Sequence, residues 1–252
     1  MEILYLIPGE GMPEEEIKRR EASANAFARS GTKIIVEEVG KGPLSIESAI
    51  EEYMSIGPML ERLYQHRKSK KFDAIIIGCA GDPGLRAARE LMDVPIIGPA
   101  ESSYYFACMI ADKFSVISPM QAGVASADGL VARIREMGLE SRMVSVEFVE
   151  IPITEMWGND PSMIIKQIAK AIEKAKDKGA GCAVLGCMSM AFQTMDTSWS
   201  AVGIPVVNPL KIAIKTAESF IELGAKHSRI TYPAADFEKL EGTVFKHLRE
   251  GE

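Results

Sequence analysis

Two cysteines have the types and spacing for chemistry. Cys79 follows the apolar run Ile75-Ile76-Ile77-Gly78, and Cys187 follows Ala183-Val184-Leu185-Gly186. Each run is too short for a helix and too continuous for a strand with one wet face. Each therefore reads as a strand covered on both faces. A helix-start pattern comes next, Gly81-Asp82-Pro83-Gly84-Leu85 after the first cysteine and Met188-Ser189-Met190-Ala191 after the second. A helix N-terminus presents free N–H groups and the positive end of the helix dipole. A thiol beside one is expected to ionise below its reference value of about 8.5. If two such cysteines face each other, one thiolate can take a proton from an acidic carbon while the opposite thiol returns one to the other face. That exchange inverts a stereocentre. The same N–H groups can hold the oxygen that gains charge as the carbanion forms. This chemistry calls for no metal and no organic cofactor.

Three other uses of a cysteine pair compete with this one. A zinc site needs further ligands, and His66, His227 and His247 lie in helical or tail segments without ligand spacing. A regulatory disulfide is disfavoured in a reducing compartment. Inert buried thiols are common, because free cysteine behaves as a small hydrophobe. That last reading is preferred for Cys108, within an apolar helix face, and for Cys182, at the start of a buried strand.

The elements that must position the cysteines alternate strand and helix. Strands are expected at Ile3–Ile7, Lys33–Val39, Ala74–Gly78 and Val94–Ile97, and again at Phe114–Ile117, Val144–Val149, Cys182–Leu185 and Ile204–Val207. Between them lie expected helices from Pro13 to Ser30, from a Ser45 cap to Ser69 with a kink at Pro58, from Pro83 to Met92, and from Glu101 to Lys113. Later helices are expected from Ala122 to Met137, with Val124, Leu130, Val131, Ile134 and Met137 on one face, from Asp160-Pro161 to Gly179, from Leu210 to Leu223 and from Asp236 to Leu248. The halves overlay at an offset of about 110 residues, with Leu4 near Val116, Ile35 near Val146, Ile76 near Val184 and Ile96 near Val206, which marks an internal duplication. The fold class is then α/β, with two similar parallel-sheet domains related by a pseudo-twofold axis and a site in the cleft between them. The first domain is expected to comprise residues 1–98 plus 209–252, and the second 99–208. Ligands of parallel α/β sheets sit beyond the carboxyl ends of the strands, where both cysteines fall.

The totals narrow the setting. The chain has 252 residues, 47% hydrophobic and 25% charged, with a formal net charge of −6, which argues against a nucleic-acid partner. The basic cluster Arg67, Lys68, Lys70 and Lys71 reads as a solvated helix end. No apolar run approaches the ~20 residues that cross a bilayer, and the N-terminus lacks the basic segment and cleavage site of a secretion signal. A cytoplasmic protein with no membrane partner is expected, so four cysteines are not a disulfide framework.

Gly78-Cys79-Ala80-Gly81-Asp82-Pro83-Gly84-Leu85 resembles the first catalytic motif of hydantoin racemases, a branch of the aspartate/glutamate/hydantoin racemase superfamily. Leu185-Gly186-Cys187-Met188-Ser189-Met190-Ala191 resembles the second, more loosely, and Gly42-Pro43-Leu44-Ser45-Ile46-Glu47 resembles a further stretch of that group. The resemblance implies cofactor-independent racemisation of a small molecule by Cys79 and Cys187, each acting as base for one enantiomer and acid for the other, in a homo-oligomer. The chain also departs from the pattern. Where relatives carry Asn-Pro-Asn-Thr after the first strand it has Ile7-Pro8-Gly9-Glu10-Gly11. Ser118-Pro119 stands where threonines are usual, and Ser189 where many hydantoin enzymes have glycine.

The expected substrate-binding residues are Pro8, Gly9, Ala80, Gly81, Ser118, Met188, Ser189 and Asn208. Gly81 would allow close backbone approach, Ser189 either caps a helix or bonds the substrate, and Asn208 either meets the ligand or holds a turn. Asp82 reads as a helix cap. Met190 and Met195 read as packing, and Glu10 would disfavour a dicarboxylate if it pointed inward. The expected activity is a racemase acting on 5-substituted hydantoins or a related ureide such as allantoin. The alternatives are an amino-acid racemase or small-dicarboxylate isomerase of the same superfamily and, from a different class, a non-catalytic two-lobed binding protein.

Overall fold

The computed structural model describes residues 1–69, 71–120, 123–158 and 160–248. The first sheet contains β1 (Glu2–Ile7), β2 (Lys33–Glu38), β3 (Ala74–Ile77) and β4 (Ile96–Ile97), in the order β2-β1-β3-β4. The second contains β5 (Phe114–Pro119), β6 (Met143–Val149), β7 (Cys182–Leu185) and β8 (Val206–Val207), in the order β6-β5-β7-β8. All of these pairings are parallel. The repeated order makes two similar α/β domains.

The register sharpens the overlay. Leu4 lies opposite Ile35 and Ile75, and Val116 lies opposite Val146 and Val184. The first two equivalences fall as expected. In the ladders, however, Val184 corresponds to Ile75 rather than Ile76, and Val207 rather than Val206 corresponds to Ile96. β7 thus reaches its cysteine one residue sooner than β3 does.

The helices are α1 (Glu14–Phe27), α2 (Ala49–Ser69), α3 (Leu85–Leu91), α4 (Pro99–Ile110), α5 (Asp128–Glu136), α6 (Ser162–Asp177), α7 (Met188–Gln193), α8 (Pro209–Glu222) and α9 (Phe237–Gly242). Ser48, not Ser45, caps α2. Its hydroxyl donates to Glu51 at 2.8 Å and accepts from the Glu51 N–H at 3.4 Å, while Glu51 also takes the Glu47 N–H, a capping-box arrangement. α2 continues through Pro58. β4 and β8 are two residues shorter than expected because Pro95 and Pro205 have no N–H for the ladder. The expected start of α5 at Ala122, like Lys70 of the basic cluster, lies outside the described residues. Val124 precedes that helix and is exposed, whereas Leu130 and Ile134 are buried. α6 ends before Gly179, whose φ of 96° suits only glycine well. The last expected helix breaks at Thr243, leaving α9 and a single 3₁₀ turn at Lys246–Leu248.

Alternate residues of β1 pack on opposite faces, as the pleat requires. Ile3 and Tyr5 join Ala24 of α1, Phe192 of α7 and Ile214 of α8. Leu4 and Leu6 join Met59 and Leu63 of α2, Leu85 of α3 and Phe245. In the second sheet, Ile117 packs with Ile164 and Ile168 of α6, and Val116 with Tyr104 of α4 and Ile134 of α5. The short apolar runs are therefore covered on both sides. α7, which follows the second cysteine, packs into the core of the first domain beside Ala80.

Candidate active site

β3 and β7 end at Ile77 and Leu185, and a glycine then carries the chain close past the neighbouring strand. Gly78 donates its N–H to Leu6 at 2.7 Å, and Gly186 donates to Ile117 at 2.7 Å. Cys79 and Cys187 come next, and both line one cavity of about 360 Å³. Its walls come from both domains. Pro8 beyond β1 and Ser118 at the end of β5 stand with the cysteines, and the turn before α2 adds Leu44, Ser45, Ile46 and Glu47. The stretch from Gly42 to Glu47 quoted above therefore meets the cavity as well.

Ala80, Gly81, Met188 and Ser189 also line this cavity, but Gly9 and Asn208 do not. Gly9 is buried against the Pro43 carbonyl, so close that a Cβ would lie 2.3 Å from the oxygen. Asn208 caps α8, accepting from Leu210 and Lys211 at 3.0 and 3.3 Å and donating to Ala191 at 2.9 Å. Gly9 is thus held by a close backbone approach, and the Asn208 side chain by its helix cap. Glu10 is exposed. Met190 and Met195 are core residues. Cys182 is fully buried, Cys108 partly so, and all four cysteines are free thiols.

Asp82 is a cap, but of an unexpected helix. Its carboxylate accepts the N–H groups of Ala100 and Glu101 at 3.0 and 2.8 Å, at the start of α4, while its own backbone adopts φ 50°. The residue after the first cysteine turn thus ties the end of the first sheet to the first helix beyond it. Burial pushes its carboxyl up to about 6, against the pull of those two N–H groups.

Neither thiol has the depressed pKa expected from a helix end. Burial in the cavity wall pushes Cys79 up to about 12, and Cys187 is also raised by burial. α3 begins only at Leu85, so Cys79 meets a single turn N–H, that of Gly81 at 3.3 Å. The nearby Cys187, Asp82 and Glu52 all oppose its ionisation. Cys187 sits directly at the cap of α7. The N–H groups of Met190 and Ser189, the Arg20 guanidinium and the Ser189 hydroxyl all favour its thiolate. An anion at Cys187 disfavours one at Cys79, so the pair suits one base and one acid at a time.

Four charged residues at the site were not singled out from the sequence. Arg20 lines the cavity and is 2% exposed. Its Nε donates to Glu16 at 2.8 Å and its Nη2 to Ser189 Oγ at 2.9 Å. Glu16 is 4% exposed. Although burial pushes its carboxyl up, hydrogen bonds from Arg19 and Arg20 outweigh this and hold it below its ordinary value. Glu52 of α2 and Arg133 of α5 meet across the cavity at 2.5 Å. Trp157 completes the wall and donates its indole N–H to Ser189 Oγ at 3.1 Å. The spacing of Glu16 and Arg20 was a legible helix pair, but nothing in the sequence marked it as buried. Among the described residues, no group of three or more His, Cys, Asp or Glu side chains is placed to hold a metal ion. Nor is any helix long and apolar enough to cross a membrane.

Two paired parallel sheets with a cysteine beyond an equivalent strand of each define a racemase-type α/β scaffold. The profile of the family described as Asp/Glu/Hydantoin racemase matches residues 15–217. A hydantoin racemase from Pseudomonas sp. is 32% identical over 226 residues, covering 89% of this chain and 88% of that one. The solved allantoin racemase from Klebsiella pneumoniae superposes with a TM-score of 0.80 at 26% identity, over 94% of this chain and 95% of its own. That from Pseudomonas fluorescens superposes with a TM-score of 0.81 at 25% identity, over 94% and 97%. The chain belongs to the Asp/Glu/hydantoin racemase family, a family of isomerases.

Proposed function

We propose that the protein is a cofactor-independent racemase of 5-substituted hydantoins or a related ureide such as allantoin, with Cys79 and Cys187 as its acid–base pair. The supporting observation is that two thiols, one beyond β3 and one beyond β7, line one cavity. A thiolate on one side removes the ring C–H proton, and the electron pair passes into the adjacent carbonyl. The thiol on the other side then delivers its proton to the opposite face, leaving the stereocentre inverted and the two cysteines exchanged in protonation. The next turnover, in the reverse sense, restores them.

The charges of the cavity favour a neutral ring over a dicarboxylate. Arg20 is held by Glu16 and Arg133 by Glu52, so neither cation is left unpaired for a carboxylate to claim. Ile7, Met12, Leu44, Ile46 and Trp157 give the cavity an apolar wall for a ring substituent. The relatives named for hydantoin and allantoin point to the same substrate class. The domain boundaries belong to this proposal as well: residues 1–98 plus 209–252 form one domain and 99–208 the other, since α8 and α9 pack on the first sheet. So do a cytoplasmic location and a homo-oligomer, in which a second copy would cover exposed apolar side chains such as Tyr53, Met54 and Met109.

The test is proton NMR in heavy water with reduced protein and single enantiomers of benzyl-hydantoin, allantoin, aspartate and glutamate. Loss of the α-proton signal beyond spontaneous exchange is expected for a hydantoin or allantoin. Racemisation should drop by about 10²–10⁴ in Cys79→Ser and in Cys187→Ser. Retained turnover in both variants would refute the two-thiol mechanism. Exchange of aspartate or glutamate alone would move the substrate to amino acids.

A further inference from the structure

The two cysteines are not equivalent, and the difference lies in how Ser189 is bonded. Its oxygen accepts from two donors, Arg20 Nη2 at 2.9 Å and Trp157 Nε1 at 3.1 Å. A hydroxyl has one proton to give and two lone pairs to accept with. With both acceptor positions filled, Ser189 can act only as a donor, and it stands two residues beyond Cys187 on the wall of the same cavity. A donor that cannot turn round favours a thiolate over a thiol at that place. The counterpart at Cys79 has no such arrangement: one backbone N–H reaches its sulfur, and carboxylates lie nearby.

Arg20 is the residue that imposes this. It comes from α1 and crosses to the domain that carries Cys187. Its guanidinium lies 4.8 Å over the Phe192 ring of α7, which meets the Tyr5 ring edge-on, and the Tyr5 hydroxyl donates to Gly78 O at 3.2 Å. Burying an arginine and a glutamate together costs more than it returns unless every donor and acceptor is used. Here the guanidinium uses its fork on Glu16 and Ser189 at once.

We propose that Arg20 and Ser189 are positioning residues that make Cys187, and not Cys79, the first of the two thiols to give up its proton. This rests on the two-thiol reading above. The groups facing Cys187 are Arg20 from α1, with Glu16 behind it, Tyr5 from β1, Cys79, Ser189 and Trp157. Those facing Cys79 are Asp82, Glu52 with its partner Arg133, Tyr5 and Cys187. Burial holds the Tyr5 phenol well above its ordinary value, so it stays neutral in either case. It follows that the ionised free enzyme is poised for the enantiomer whose C–H faces Cys187, and must move a proton from Cys79 to Cys187 before it can accept the other.

The test needs no substrate. Alkylation of each cysteine by iodoacetamide is followed against pH by peptide mass mapping, and the pH midpoint is read rather than the amplitude, so that access does not enter. In the wild-type protein Cys187 should show the lower midpoint. Ser189→Ala should raise the Cys187 midpoint by about one pH unit, a tenfold loss of thiolate below it, while leaving Cys79 in place. Arg20→Lys, which keeps the charge but cannot span Glu16 and Ser189, should shift it in the same direction by less. In turnover, the acid limb of kcat/KM should move for one enantiomer only. A wild-type midpoint lower at Cys79 overturns the proposal, as does a Cys187 midpoint unmoved in folded Ser189→Ala. If hydantoins are not turned over but the midpoints behave as described, the substrate assignment fails and this one stands.

Discussion

Asp82 offers the sharpest link between a buried group and the stability of the whole fold. Its carboxyl is fully buried and stands at about 6 in the folded protein, against 3.8 for the free side chain. The fold thus binds the proton more tightly than the unfolded chain does. The stability this contributes is fully present below about pH 4 and is lost as the pH rises through about 6. At 1.36 kcal/mol per pKa unit, the loss amounts to about 3 kcal/mol. Other titrating groups cancel if the wild-type protein is compared with Asp82→Asn at each pH. The difference in unfolding free energy between the two, measured by urea denaturation from about pH 3 to about pH 7.5, should fall by about 3 kcal/mol in favour of the variant. A difference that stays flat or rises with pH would refute the reasoning. It would mean that the N–H groups of Ala100 and Glu101 outweigh burial and that the carboxylate is charged throughout.

Two further predictions follow from close contacts around the cysteines. A Cβ at Gly78 would lie 2.7 Å from Leu6 O and 2.9 Å from Ile7 Cα, both backbone atoms that cannot step aside. Gly78→Ala should cost about 2 kcal/mol and lower the thermal midpoint by roughly 5 °C, as seen by circular dichroism. A midpoint within a degree of wild type would show that the first strand gives way freely. Glu52→Gln removes a carboxylate that opposes the Cys79 thiolate and frees the cation of Arg133. The Cys79 alkylation midpoint should fall while that of Cys187 holds, and a rise would show that the pair acts on the thiol in some other way.

The parts of this molecule that were legible in the sequence are those governed by local contrast. Ala74–Ile77 and Cys182–Leu185 are apolar on both faces because helices cover both faces. The glycines and prolines around them punctuated the elements to within a few residues. The cysteines stood out for the same reason, being reactive side chains at the ends of such runs. The charged frame of the cavity was hidden because its pairs are distant in the chain or disguised within it. Glu52 and Arg133 belong to different domains. Glu16 is one of three acids in the first turn of α1, yet it is the one of the three that is buried. Asp82 was recognisable as a cap, but its helix lies past β4, a partner that only the tertiary fold supplies. The expected low thiol pKa failed for a physical reason too. Proximity to a helix start was read from the chain, but the desolvation that outweighs it depends on the cavity wall.

The position of α8 bears on how the molecule is made. Leu210, Ala213, Ile214 and Ala217 fill the same cluster as Ile3, Tyr5, Ala74 and Ile76, so one face of the first sheet is completed by residues translated only after all of the second sheet. The helices that cover the second sheet, α4, α5 and α6, follow one another without such a delay. On the ribosome, the strands synthesised first must therefore wait with an uncovered apolar face, while the half synthesised later has most of its partners at hand. Order of synthesis and order of completion run in opposite directions, and the interval between them is when this chain is most exposed to aggregation and most in need of a chaperone.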